Sequence, residues 1–182
     1  GIAGLEEIFA KAKLREKKLS DAIEFYDEAK KIFKRSEISL LRASDYNTRG
    51  LTGSDRDPDE PWGALTDATG TSAKSGGQGG TFGIGKGAPF VASRLRTVFY
   101  RTLNDNKEQV FAGRCRISSY IDDAKEERAG IGNFGILDGM LSRSIRDAHI
   151  IPKTFGERSE TGTDIYIVGY DSKDNWQDDL AI

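Results

Sequence analysis

The sequence is poor in the residues that build stapled or metal-bound folds: one cysteine, one histidine, one methionine and four prolines in 182 residues. A lone Cys115 forms no internal disulfide. That suits a reducing compartment, and the expectation is a cytoplasmic protein. One histidine and one cysteine far apart make a poor zinc site. His149, in "RDAHIIP", reads as structural rather than as a phospho-acceptor or metal ligand, and Cys115 as core. No apolar run approaches the roughly 20 residues of a membrane helix, and no signal peptide is visible. No membrane partner is expected. The formal net charge is −2, which gives no general attraction to nucleic acid.

Glycine is abundant. With 21 glycines and a hydrophobic fraction of 37%, the chain reads as one domain, 1–182, with a real core and long loops. Both ends read as cut, "GIAGLEEIF" entering a helix at once and "DNWQDDLAI" stopping without a closing element. The expectation is a fragment of a larger protein.

Leu5, Ile8, Phe9 and Ala12 recur at helical spacing and predict a helix over 3–17. Ser20 reads as the N-cap of a second helix over 21–34, with Ala22, Ile23, Tyr26, Ala29 and Phe33 as its apolar stripe. A short strand follows at 38–46. The segment 47–80, rich in Gly, Asp, Ser and Thr, is too long for an ordinary loop and reads as a lid or an insert. Trp62 and Leu65 start a short helix after Pro61, and 88–95 carries one or two helical turns. "RTVFYRT" and "EQVFAGRCRISSY" flank the turn formers Asn104, Asp105 and Asn106. In the second of these strands Phe111, Cys115 and Ile117 share one face, and Arg114, Arg116 and Ser118 the other. This alternation predicts a half-buried antiparallel strand. "NFGILDGMLSRSIRDAHII" reads as loop and short helix, and "TDIYIVGYD" as another strand. Helices first and an antiparallel sheet after give an α+β class.

"GGTFGIGKGAPF", 79–90, asks for a phosphate ligand. Gly80, Gly85 and Lys86 fit G-x-x-x-x-G-K, but Gly87 stands where a P-loop needs Ser or Thr, and no strand precedes it. G-x-G-x-x-G is not met either, and no βαβ unit surrounds it.

Three blocks in order, "LRASDYNTRGLTG", the glycine loop and "TGTDIYIVGYD", resemble the GHKL ATPase superfamily: gyrase, heat-shock chaperone ATPases, histidine kinases and MutL-type repair proteins. The resemblance runs from about Leu40 to Tyr170. It implies a two-layer α/β sandwich with a mixed, mainly antiparallel sheet, helices on one face, and ATP between helices and lid. Asp45 would be a buried carboxylate receiving the adenine amino group. Asn47 stands where the family often has its first glycine, and Gly50 is displaced by one from the second. Gly80, Phe82, Gly83, Gly85, Lys86 and Gly87 would form the lid over the phosphates, within a loop region 47–87. Thr163 would supply a hydroxyl near the adenine. Arg94 and Arg96 are either phosphate partners from the lid side or surface charges. The acidic "DRDPDE", 55–60, either binds a cation or keeps its loop solvated.

The resemblance further implies ATP and ADP as ligands, Mg²⁺, ATP hydrolysis in the full-length protein, ATP-dependent homodimer formation, and a DNA or protein client. In the family, hydrolysis needs a Glu and a Mg²⁺-binding Asn spaced E-x-x-x-N on an earlier helix. No asparagine occurs before Asn47. Either that residue precedes Gly1 in a longer protein or this chain does not hydrolyse ATP. No catalytic base is assigned. Two alternatives stay open: a histidine-kinase-like ATP-binding domain, and a nucleotide-free interaction module of the same fold.

Overall fold

A computed structural model describes residues 3–16, 20–55, 57–66, 84–139 and 141–171. The two N-terminal helices form where the apolar spacing predicts them: α1 at Ala3–Arg15 and α2 at Ser20–Phe33. Ser20 is the first residue of α2 rather than a cap on its backbone, and its hydroxyl bonds Asp21 Oδ1 at 3.0 Å. The helices pack as an antiparallel pair around Phe9, Ala12, Tyr26, Ala29 and Ile32. The Phe9 ring meets those of Phe25, Tyr26 and Phe33 at 5.3–5.9 Å between centroids. Phe25 and Ile32 thus join the stripe expected from Tyr26, Ala29 and Phe33. Burying one such large side chain contributes about 1.5–3 kcal/mol.

The strands are β1 (Leu40–Ser44), β2 (Thr97–Leu103), β3 (Gln109–Arg116), β4 (Tyr120–Ile121), β5 (Glu127–Arg128), β6 (Ile131–Phe134), β7 (Ile136–Asp138), β8 (Leu141–Arg143) and β9 (Gly162–Val168). Five of them make one sheet in the order β1-β9-β2-β3-β6. Among the described residues every pairing is antiparallel. The α+β class holds. β2 and β3 are joined by a turn in which Asn104 bonds both the main chain and the side chain of Glu108, and Lys107 takes φ +64°. The stretch expected as loop and short helix instead forms the end of β6 together with β7 and β8, and its last residues make the expected short helical turn. Two single 3-10 turns follow, at Ala148–Ile150 and Lys153–Phe155.

Two further helices, α3 (Pro61–Thr66) and α4 (Ile84–Ala92), cover one sheet face. There Trp62 and Phe90 pack on Val98, Tyr100, Val110 and Ala112. The opposite face is covered by the 145–155 segment, whose Ile145, Ile151 and Phe155 pack on Phe99 and Phe111. The α1–α2 pair meets the sheet at the end marked by Leu95, Cys115 and Val168. This arrangement corrects two expectations. The cover is not confined to one face, and β3 is not half-buried, because Val110 to Cys115 are all buried. Arg114, expected in solvent, is 9% exposed, with Nε bonded to the Thr66 carbonyl at 2.9 Å and Nη1 to that of Gly113 at 3.0 Å. A buried guanidinium persists only where carbonyls or carboxylates receive its donors.

The first part of the long glycine- and aspartate-rich segment is fixed to the α3–α4 face. Leu51 N–H bonds Thr102 Oγ1 at 2.8 Å, and Asp105 N–H bonds the Arg49 carbonyl. Asp55 accepts from Trp62 Nε1 at 3.0 Å and from Ser144 N–H at 2.7 Å. Trp62 is fully buried.

Candidate functional site

β1 ends at Ser44, and the pairing with β9 continues one residue further through a side chain. Asp45 N–H donates to the Thr163 carbonyl at 3.0 Å, and Thr163 N–H donates to Asp45 Oδ1 at 2.7 Å. Thr48 Oγ1 donates to the same oxygen at 2.9 Å. Asp45 Oδ2 accepts no hydrogen bond among the described residues. The Asp45 side chain is 53% exposed, so the buried carboxylate expected from sequence is instead a half-exposed one with one oxygen fixed and one available.

Asp45 and Thr163 open onto one cavity of about 400 Å³. Ala43, Ser44, Leu51, Leu65 and Ile165 complete its lining. It is an open, shallow depression with an apolar wall and a few polar groups. The Thr163 hydroxyl lies 3.4 Å from that of Thr102. Thr102 donates to the Gly162 carbonyl at 3.0 Å and accepts from Leu51 N–H.

Asn47 has φ +57°, the left-handed conformation that asparagine tolerates better than most residues. Gly50 has φ +64°, and a Cβ there would lie 2.4 Å from the Leu103 carbonyl oxygen. Both residues shape the turn after Asp45 and are not lining residues of the cavity.

Of the expected lid, Gly80, Phe82 and Gly83 lie outside the described residues. Gly85, Lys86 and Gly87 belong to α4, which starts four residues before the expected Ala88. They form helix rather than loop. Two glycines lower helix propensity, but Phe90 buries against the Trp62 cluster and α4 carries the turn with it. Lys86 is half-buried and does not line the cavity.

Arg94 pairs with Asp171 and, at 3.9 Å, with Glu28. Arg96 bonds the Phe90 carbonyl and lies over the Phe25 ring. Neither reaches the cavity. Asp55 is structural: burial alone would raise its pKa, but hydrogen bonds from Ser144 and Trp62 outweigh this and hold it below the usual range. Among the described residues no group of three or more His, Cys, Asp and Glu could hold a metal ion. His149 is exposed on a 3-10 turn. Cys115 is buried, as expected, and burial pushes its thiol up.

Sequence reasoning missed the groups behind Asp45. Asp164 is fully buried. Its Oδ1 accepts from Arg158 Nη1 at 2.5 Å and from Arg42 Nε and Nη2 at 3.2 and 3.0 Å. Its Oδ2 accepts from Tyr166 OH at 3.2 Å. Arg158 Nη2 donates to the Asp45 carbonyl and lies 3.9 Å from Asp45 Oδ1. A Cβ on Gly162 would lie 2.2 Å from Arg158 Nη2 and 2.3 Å from Asp45 Oδ1. The signal was present in the sequence: an arginine inside "LLRAS" and an aspartate inside "TDIYIV", opposite charges in two apolar strands.

No family model matches the chain, and neither a curated protein nor a solved structure matches it.

Proposed function

We propose that the chain is an ATP-binding domain of GHKL type that holds the adenine of ATP or ADP in the cavity between Asp45 and Thr163. The observation that carries the reading is the asymmetry of the Asp45 carboxylate. Oδ1 is fixed by Thr163 N–H and Thr48 Oγ1, which leaves Oδ2 to accept from the exocyclic amino group of adenine. Guanine offers an oxygen at the corresponding position, and an acceptor facing an acceptor is rejected. Leu51, Leu65 and Ile165 give the apolar surface on which a flat base lies. On the phosphate side, α4 begins at Ile84 with Lys86 in its first turn, and a helix N-terminus favours anions.

When bound, Mg²⁺ in this family shields the phosphates, and the asparagine expected to hold it is not in this chain. No hydrolytic step is therefore derived. Dimer formation and a DNA or protein client belong to the same reading as its consequences in a longer protein.

Isothermal titration with ATP, ADP and GTP, with and without Mg²⁺, tests the proposal. Binding of both adenine nucleotides with GTP excluded is the expected result. Equal affinity for ATP and GTP, or none for any of them, would count against it.

A further inference from the structure

Asp45 is held from behind by a group that has no access to the cavity. Arg158 is 1% exposed at its side chain and is not a lining residue. Its guanidinium lies on the opposite side of the β1–β9 pairing, beside Asp164 and under the Tyr46 ring at 5.0 Å. From there one terminal nitrogen reaches Asp164 and the other reaches the main-chain carbonyl of Asp45. The two contacts use the fork of the guanidinium, which an ammonium on a flexible stem does not reproduce. The third nitrogen, Nε, is buried without a partner among the described residues. An uncompensated donor is tolerated at a cost, which indicates that the two terminal contacts determine the placement of the side chain. Passage from one side to the other goes past Gly162, where a single added carbon would strike Arg158 and Asp45 together.

We propose that Arg158 is a positioning residue for the cavity: by gripping the Asp45 carbonyl it sets where the carboxylate stands, and so sets base selectivity without touching ligand. The inference rests on the reading of the cavity as an adenine site. Charge supports it. Arg42, Asp164, Arg158 and Asp45 alternate in sign along one chain of contacts. Asp164 alone faces two arginines, so Asp45 supplies the second negative charge. A turn fixed at its main chain and balanced in charge holds a carboxylate within the few tenths of an ångström that discrimination between two bases requires.

The test compares Arg158→Lys with Arg101→Lys. Arg101 is a second buried arginine on the same sheet face, bonded to the Gly156 carbonyl and to Gln109, with no contact to Asp45. Two quantities are read in each protein: amide hydrogen exchange at Thr163, whose N–H is bonded to Asp45 Oδ1, and the ratio of ATP to GTP affinity by titration. Both variants are expected to lower the melting temperature. Only R158K is expected to speed Thr163 exchange and to narrow the ATP-to-GTP ratio, each by about tenfold. Thr163 exchange and a ratio no different from those of R101K would overturn the proposal. Should R158K fail to fold, Arg158→Gln, which keeps an amide donor without charge, is measured in its place. If the wild-type protein binds neither nucleotide, the adenine reading falls and the selectivity role with it. Faster exchange at Thr163 in R158K would still support the grip of Arg158 on the Asp45 turn.

Discussion

Asp45 and Thr163 exchange hydrogen bonds in both directions: the N–H of each residue is bonded to an oxygen of the other, at 3.0 and 2.7 Å. One of those oxygens belongs to a side chain. The carboxylate therefore acts as a rung of the sheet as well as a group at a cavity mouth. Asp45→Asn separates the two roles, because an amide oxygen still accepts from Thr163 while the amide nitrogen now faces the ligand. The fold is expected to survive, since Asp164 remains the nearer counter-ion of Arg158. ATP affinity is expected to fall by about 2 kcal/mol, roughly thirtyfold. Calorimetric titration beside a thermal melt checks both, and a variant with wild-type affinity would remove the base-reading role from Asp45.

Gly162 is the second probe. It has φ +136° and no room for a side chain between Arg158 and Asp45. Gly162→Ala adds backbone strain to a clash with two groups that hold each other. A loss of about 1–3 kcal/mol is expected from the strained backbone alone. Urea denaturation gives the number. An unchanged midpoint would mean that the close approach of the two side chains does not constrain the strand.

Much of the scaffold was legible from local pattern. The stripes of α1 and α2, the β2–β3 hairpin with its Asn104 turn, and α3 after Pro61 all follow from spacing and turn chemistry. Asp45 and Thr163 were legible only through motif order, and they do open onto one cavity. What escaped was non-local. β9 inserts between β1 and β2, a pairing no window of sequence reveals. The cover on the second face comes from Ile145, Ile151 and Phe155, spaced six and four apart in an irregular segment with no period to read. Arg114, on the other face, looked solvated because no local pattern showed that α3 would fold over it and offer the Thr66 carbonyl. Arg158 escaped because a charged residue between Glu157 and Ser159 looks like any loop charge.

Asp55 makes the stability of the α3 face depend on acid. Its folded-state pKa lies below the ordinary aspartate value of 3.8, because hydrogen bonds from Ser144 and Trp62 outweigh the burial that alone would raise it. A depressed carboxylate contributes stability that is fully present above its unfolded pKa and is lost as pH falls through the folded one. The window therefore opens at 3.8 and extends below it. Asp55→Asn is expected to be less stable than wild type at neutral pH, and the gap is expected to close as pH drops through that window. Denaturation curves at a series of acid pH values measure it. A gap that stays constant would show that charge on Asp55 is not what the two donors favour.

Tyr100 gives the corresponding test at alkaline pH. It is 2% exposed in the cluster of Trp62, Phe90 and Val98. Burial pushes its phenol from 10.0 up to about 12, against the opposing charges of Arg116 and Arg114. The folded state thus favours the neutral phenol. Its contribution is fully present below pH 10.0 and is lost as pH rises toward about 12. Tyr100→Phe cannot ionise, so its stability is expected to fall less steeply than that of wild type across this interval. Ultraviolet titration of the tyrosinates supplies an independent reading. In the folded protein, one tyrosine absent from the Y100F spectrum should ionise after the exposed rings, at about 12. If Y100F and wild type lose stability in parallel above pH 10.0, the phenol is in contact with water and the α3–α4 cover over β2 is looser than its packing implies.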